Sequence, residues 1–246
     1  MAIEVFNRYE SKYLMDSKTF YIIYNGLLEY MELDEYNKHD KFYSISNIYY
    51  DTEHDSLIRN SLAKPKYREK LRIRAYSIPE KDAKVYLELK KKVFGLVNKR
   101  RTALKLSEAY DFVRTGAEPE FREGMNKQVI QEIQYFLQRY DLQPKLYLAY
   151  DRIALFCKNN RDLRITFDTN IRSRRYDVKL ESGDYGEELL SRGQWLMEVK
   201  AEKTIPIWLS RMLSELGIFR TSFSKYGNEY KKMLANGKIE RERILL

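Results

Sequence analysis

KYREKLRIRAY (66–76) places Arg68, Lys70, Arg72 and Arg74 at every second position, with Leu71, Ile73 and Ala75 between them. Residues i and i+2 share one face of a β-strand, so this segment has a cationic face and a largely apolar one. Neighbouring like charges on that face stand roughly 7 Å apart, which costs about 2 kcal/mol per pair at a surface-like dielectric. A chain keeps such a row cheaply only where water bathes it or an anion binds it.

The same alternation recurs along the chain. Strand patterns cover about residues 3–14, 43–50, 66–76, 84–93, 97–106, 145–155, 162–174 and 195–202. Arg8, Glu10 and Lys12 share a parity in the first. Tyr86, Glu88, Lys90 and Lys92 oppose Val85, Leu87 and Leu89 in the fourth. Arg164, Thr166 and Asp168 oppose Leu163, Ile165 and Phe167, and Glu198 and Lys200 oppose Trp195, Met197 and Val199. A single strand of this kind fits an antiparallel sheet with one face on helices and the other in water. Across the set, however, the polar faces are rich in Arg and Lys and poor in the Thr, Ser and Gln of an idle wet surface. About eight such strands can close into a barrel with a polar interior and an apolar outside covered by helices. A water-filled cationic lumen suits an extended polyanion.

Helical patterns separate the strands. Asp16 or Ser17 caps a helix reaching about Met31, with Phe20, Ile23, Leu27 and Met31 on one face. Ser107 to Thr115 is closed by Gly116, and Asn126 to Tyr140 aligns Val129, Ile133, Phe136 and Tyr140. Pro206 opens a helix carrying Trp208, Met212, Leu213 and Leu216. A last helix spans about Phe223 to Leu234. Without repeats, low-complexity tracts or a Gly/Pro/Ser linker, residues 1–246 read as one α+β domain, with a core at about 3–235 and a charged tail at 236–246.

Composition narrows the function. Lys and Arg number 45 against 36 Asp and Glu, a net charge of +9 that favours an anionic partner. Cys157 is the only cysteine, which excludes an intrachain disulfide and fits a reducing compartment. No apolar run approaches the roughly 20 residues of a membrane span, and MAIEVFNRYE (1–10) has no signal-peptide core. A cytoplasmic location is the expectation. The phosphate-loop, dinucleotide and zinc-protease motifs are absent. With His39 and His54 as the only histidines, a histidine triad or zinc site is not expected, and His54 in DTEHDS (51–56) reads as a turn residue.

What remains is phosphate recognition by Arg and Lys, with carboxylates available for a divalent metal. Phosphoryl transfer asks for positioning and charge neutralisation rather than covalent chemistry by the protein. Glu10, Glu88 and Glu198 are hard oxygen donors suited to Mg²⁺ or Mn²⁺. Each is equally explained by a cross-strand ion pair with a lysine. A nucleic-acid binder ranks last, because its basic residues would lie on an outer surface with aromatic platforms.

In order, RYESKY (8–13), SNIYYDT (46–52), LRIRAY (71–76), VYLELKKK (85–92), NKRR (98–101), YDR (150–152), LRITFDTNI (163–171), MEVKAE (197–202) and SFSKYG (222–227) resemble the VTC domain. This is the polyphosphate polymerase domain of the vacuolar transporter chaperone complex, known also as a stand-alone bacterial protein. It belongs to the triphosphate tunnel metalloenzyme, or CYTH-like, superfamily. The resemblance implies a closed eight-stranded antiparallel barrel. It implies that Lys12, Arg72, Arg74, Lys90, Lys99, Arg101, Arg152, Arg164, Lys200 and Lys225 line the tunnel, with Arg8 and Lys70 added by strand parity. Arg72, Arg74, Lys90, Arg152 and Lys200 are the expected catalytic set. Tyr150 and Ser224 match polar substrate contacts, and Glu198 the metal carboxylate.

The activity so implied is ATP-dependent polyphosphate synthesis with Mn²⁺ or Mg²⁺, with tri- or polyphosphate hydrolysis and non-catalytic polyanion binding as alternatives. Two positions depart from the pattern. Arg8 stands where many tunnel hydrolases carry the first Glu of E-x-E-x-K, removing a potential metal ligand. Ser222 stands where the eukaryotic polymerases carry another lysine.

Overall fold

The computed structural model describes residues 9–37, 42–94, 96–202 and 204–237. The eight predicted strands are all present: β1 (Tyr9–Asp16), β3 (Tyr43–Asp51), β4 (Tyr67–Tyr76), β5 (Lys84–Val93), β6 (Leu96–Lys105), β7 (Gln143–Cys157), β8 (Arg164–Arg174) and β10 (Gln194–Ala201). Two short strands escaped the alternation pattern, β2 (Met31–Leu33) beside β7 and β9 (Glu187–Glu188) beside β8. Three and two residues are too few to show a period. Residues 3–8 of the first predicted strand lie outside the described residues.

The strands are hydrogen-bonded antiparallel in the order β1-β10-β8-β7-β3-β4-β5-β6. The expected barrel closure is not found. Among the described residues, β1 pairs only with β10 among these strands and β6 only with β5. The sheet instead curls until its two edges face the same cavity, β1 through Glu10 and Lys12 and β6 through Val97 and Lys99.

Among the described residues the α-helices are α1 (Ser17–Tyr30), α2 (Ser56–Ala63), α3 (Leu106–Thr115), α4 (Lys127–Arg139), α5 (Ile207–Glu215) and α6 (Lys225–Ala235). Local chemistry starts and stops them. The Asp16 carboxylate accepts from the Thr19 amide at 2.8 Å to open α1, and the Asn126 side chain accepts from Val129 at 3.1 Å to open α4. Gly116 ends α3 in the left-handed conformation, at φ 72°. The unforeseen helix is α2. Its first turn is held from the end of β3, with the Asp51 carboxylate accepting from the Leu57 and Ile58 amides at 2.8 and 2.9 Å and from the distant Tyr226 hydroxyl at 3.1 Å. His54 sits in the turn before it, as expected.

Two apolar layers cover the convex face. Helices α3 and α4 pack on Leu71, Ile73, Val85, Leu87 and Leu89, while α1 and α5 pack on Met197, Val199, Ile165 and Phe167. Not every helix lies outside. Helices α2 and α6 sit on the concave side, where Ile58, Phe223, Tyr226 and Tyr230 meet Ile45, Leu146, Leu148, Ile171 and Leu196. A Cβ on Gly227 would stand 3.1 Å from the Leu62 side chain, so glycine there allows α6 to approach α2 closely. Cys157 is buried as a free thiol. No helix among the described residues is long and apolar enough to cross a membrane.

Strand parity has a direct thermodynamic test. Leu89 is wholly buried beneath the convex layer, whereas its neighbour Lys90 opens into the cavity. Leu89→Ala is expected to cost about 2–5 kcal/mol in chemical denaturation. Lys90→Ala is expected to leave stability unchanged or raised, since it relieves like-charge repulsion. Equal losses for the two would contradict the assignment of faces.

Candidate functional site

The concave faces and α6 enclose a cavity of about 300 Å³. Its wall carries nine cationic side chains and three carboxylates: Lys12, Lys70, Arg72, Arg74, Lys90, Lys99, Arg152, Lys200 and Lys225 against Glu10, Glu88 and Glu198. Tyr49, Tyr150, Ser224, Tyr226 and Val97 complete it. Of the residues expected from sequence, fourteen therefore line one cavity.

Two do not line it. The Arg101 guanidinium lies 4.9 Å from the Tyr86 ring centre, and Arg164 is held by Asp34 at 3.0 Å and lies over Phe156. Both occupy inward-facing register positions, opposite Glu88 and Lys200 respectively, but near the rim. Arg8 and His39 lie outside the described residues.

The charges are organised around two carboxylate centres. Glu88, almost fully buried on β5, is opposite Arg72 on β4 and Arg101 on β6. Arg72 Nε donates to it at 2.8 Å, Lys99 Nζ approaches at 2.6 Å, and Arg74 Nε lies at 4.0 Å. Arg74 is fixed further by donating to the Asn47 side-chain oxygen at 3.0 Å and the Tyr150 hydroxyl at 3.2 Å, and Arg72 donates to the Tyr49 hydroxyl at 2.9 Å. Burial pushes the Glu88 carboxyl up, but Arg74, Arg72 and Lys99 outweigh it and hold the pKa well below the usual range.

The second centre joins Glu198 on β10 to Asp168 on β8. Arg152 makes a bidentate pair with Asp168 at 2.6 and 2.8 Å, and Lys225 Nζ reaches Asp168 at 2.5 Å and Glu198 at 3.4 Å. Lys12 stands between Glu198 at 3.2 Å and Glu10 at 3.3 Å, with Lys200 at 3.9 Å from Glu198. Burial opposes ionisation of Glu198, yet Lys225, Lys12 and Lys200 hold its pKa well below normal. Asp168 was legible only as a polar-face residue. Its role beneath the cavity depends on Lys225, fifty-seven residues away in sequence.

No ion pair among the described residues reaches Lys70 or Lys90. These two stand opposite each other on β4 and β5, and Lys90 acts through space on Glu10, whose pKa it helps to lower. The phenols register that potential. Burial pushes Tyr49 and Tyr150 up, but the neighbouring arginines outweigh it and both are lowered. Ser224 caps α6, accepting from the Gly227 amide at 3.2 Å, so the first turn of this helix also faces the cavity. The cavity is built to receive an anion with several oxygens.

The described residues thus form a curled antiparallel sheet around a cationic cavity. The family model for the VTC domain matches residues 7–234, and the chain belongs to that family. Solved structures agree on the fold. A candidate adenylate cyclase from Bacillus halodurans is similar at TM-score 0.56 and 16% identity, over 90% of this chain and 96% of its own. A candidate adenylyl cyclase from Hippeastrum, described as having a dominant triphosphatase activity, is similar at TM-score 0.51 and 16% identity, over 94% and 97%. A comparison with curated proteins finds no match.

Two tests follow from the geometry. Arg72 donates through three nitrogens at once, so Arg72→Lys is expected to weaken inorganic triphosphate binding about tenfold or more despite keeping the charge. Calorimetric affinities equal to the parent would contradict this. Burial lowers Lys70 and Lys200 to about 8 and Lys99 to about 7. A lowered ammonium is charged below its pKa and neutral above it, and a bound anion favours the charged form. Affinity for triphosphate should therefore fall as pH rises through about 7 to 8, by up to about tenfold per unit for each lysine, with proton uptake on binding. Lys70→Arg, which stays charged, should flatten the profile. An unchanged slope would show that Lys70 does not take up a proton when the anion binds.

Proposed function

We propose that the chain is a metal-dependent phosphotransferase that makes polyphosphate, moving the γ-phosphoryl group of ATP to the end of a polyphosphate chain and releasing ADP. The observation that carries this reading is the cavity wall itself. Nine cations stand on rigid strands and one helix start, with their arginines already oriented by Glu88 and Asp168. Membership of the VTC domain family supports it. A terminal phosphate oxygen of the acceptor forms a bond to the γ-phosphorus while the bond from that phosphorus to the β,γ-bridging oxygen breaks, and the electron pair leaves with ADP. A phosphate nucleophile is already ionised near neutral pH, so a protein base is dispensable. Arg72, Arg74 and Arg152 hold phosphate oxygens, and Lys90, Lys99 and Lys200 offset the charge on the transferring group. Lys70 and Lys12 grip the rest of the chain, with Lys225, Ser224 and Tyr150 at the α6 side. Arg101 and Arg164 are placed to meet phosphates nearer the rim.

The carboxylates fit a divalent cation on one wall. Glu10 and Glu198 already share a single cation, the Lys12 ammonium, so their oxygens converge. Among the described residues no three His, Cys, Asp or Glu side chains form a metal-binding group. A two-carboxylate donor set completed by phosphate oxygens is the pattern of Mg²⁺ and Mn²⁺ sites in phosphoryl-transfer proteins. Such an ion would supply charge neutralisation across adjacent phosphate oxygens. Glu88 was expected beside them, but it serves Arg72, Arg74 and Lys99 on another wall and acts as their anchor.

Hydrolysis of tri- or polyphosphate in the same cavity is the second reading, favoured by the triphosphatase activity of the Hippeastrum protein. Incubation with ATP and Mn²⁺ or Mg²⁺ separates the two. Long polymer with stoichiometric ADP supports synthesis, free phosphate supports hydrolysis, and binding without turnover would make the chain a polyanion-binding module. Within either enzyme reading, Glu198→Gln should keep the fold and most triphosphate binding while lowering metal-dependent turnover by about 10²-fold. If Glu198 serves only to balance Lys12, Lys200 and Lys225, stability falls but the metal titration of specific activity does not move.

A further inference from the structure

Four tyrosines that the cavity does not use gather at its rim, where β3 and β5 begin and β4 ends. Tyr36, Tyr43, Tyr76 and Tyr86 form a connected ring cluster, with centres 5.9 Å apart for Tyr36–Tyr43, 6.1 Å for Tyr43–Tyr76 and 5.9 Å for Tyr76–Tyr86. Tyr36 and Tyr76 are nearly parallel, at 7° and 6.0 Å. Burial does not explain this pair, since Tyr36 is 69% exposed and Tyr76 36%.

Tyr36 is nonetheless rigidly mounted. It lies in a single 3₁₀ turn, Glu35–Asn37, whose Asn37 is buried. Asn37 donates to the Arg152 carbonyl at 3.1 Å and accepts from the Ala154 amide at 2.9 Å, which clamps the turn onto β7. On its other side, Asp34 is paired with Arg164. An exposed aromatic ring on a fixed mount loses little entropy when something stacks on it.

The cluster is continuous with the cationic wall. Tyr86 is the register partner of Arg74 and Tyr43 that of Arg152, and both arginines line the cavity. Arg101 lies over Tyr86, adding a cation beside the rings. Aromatic faces joined to a phosphate-binding groove are the arrangement that accepts a nucleotide, with the base on the rings and the phosphates among the cations.

We propose that Tyr36 and Tyr76 are a stacking platform for the base of a nucleoside triphosphate whose phosphates enter the cavity past Arg74 and Arg152. This rests on the reading of the cavity as the site for the triphosphate of ATP and adds to it the place of the base, on Tyr36 and Tyr76.

ATP and inorganic triphosphate titrated separately into the full chain, by calorimetry, test the platform. In the double variant Tyr36→Ala, Tyr76→Ala, ATP affinity should fall about tenfold, within the range for loss of a base–aromatic stack, while triphosphate affinity stays within about twofold. The double variant Tyr36→Phe, Tyr76→Phe should bind ATP like the parent, because the ring and not the hydroxyl is used. Circular dichroism confirms that both variants are folded. ATP affinity unchanged in the alanine variant, or lowered equally with triphosphate, overturns the platform while leaving the cavity assignment intact. A parent chain that binds neither ligand would instead overturn the cavity assignment, and the platform with it.

Discussion

Like-charge repulsion is the constraint around which this protein is arranged. Nine lysines and arginines face one cavity, and each adjacent pair on a strand face costs about 2 kcal/mol at a surface-like dielectric. Two carboxylate centres make the cluster tolerable. Glu88 serves Arg72, Arg74 and Lys99; Glu198 and Asp168 together serve Lys12, Arg152, Lys200 and Lys225. These centres also fix register. A one-residue slip of β5 against β4 would turn Glu88 toward α3 and α4 and put Leu87 or Leu89 into the cationic space. Apolar burial on the convex face and ion pairing on the concave face thus demand the same alignment.

The compensation is incomplete in a useful place. Lys70 and Lys90 have no ion pair among the described residues, and burial keeps Lys70 at about 8. The arginines, by contrast, are already held by carboxylates, amide oxygen and phenols before any anion arrives. On the proposed function, an incoming phosphate chain would meet oriented forks and the Lys70 and Lys90 ammonium groups in the same space. Little reorganisation remains for the bound state, which is what electrostatic stabilisation of a transferring phosphoryl group requires.

How much of this was legible in the sequence depended on whether the controlling interaction was local. Period-two alternation located every long strand and assigned faces correctly, because parity follows from backbone geometry alone. It put Glu10, Lys12, Lys70, Arg72, Arg74, Glu88, Lys90, Glu198 and Lys200 on the face that lines the cavity, while Lys99, Tyr150, Arg152, Ser224 and Lys225 were expected there only from the resemblance to the VTC domain. It failed where the partner is distant. The helix α2 is anchored by Asp51 and the α6 tyrosine Tyr226, which donates to Asp51 at 3.1 Å across 175 positions. Asp168 looked like one more polar strand residue until Arg152 and Lys225 met on it. Glu88 and Glu198 had the same sequence signature, a glutamate two positions before a lysine on a strand face, yet they sit at different centres with different company. Parity identifies a face; it does not say which charges converge across it. Barrel closure was overstated for the same reason, since alternation counts strands without fixing whether the first and last pair.

The open seam ties cavity assembly to the complete fold. In a closed barrel, hydrogen bonds between the edge strands would define the lumen without further help. Here β1 and β6 are unpaired with one another among the described residues, so the curl must be held from the concave side. Helix α6 does this. Its first residue, Lys225, bonds to Asp168 on β8 and Glu198 on β10, and Tyr226 packs on Tyr49 of β3 with ring centres 5.0 Å apart. One helix near the end of the chain thereby bridges strands from both halves of the sheet and places Ser224 and Lys225 in the wall. The cavity wall is not complete without this segment, which supplies Ser224, Lys225 and Tyr226. Nor can α6 dock stably without the two acidic groups that take up Lys225's charge, because an unpaired buried ammonium is strongly unfavourable. The ion pairs that seat α6 on β8 and β10 are therefore the same ones that build this part of the cavity wall.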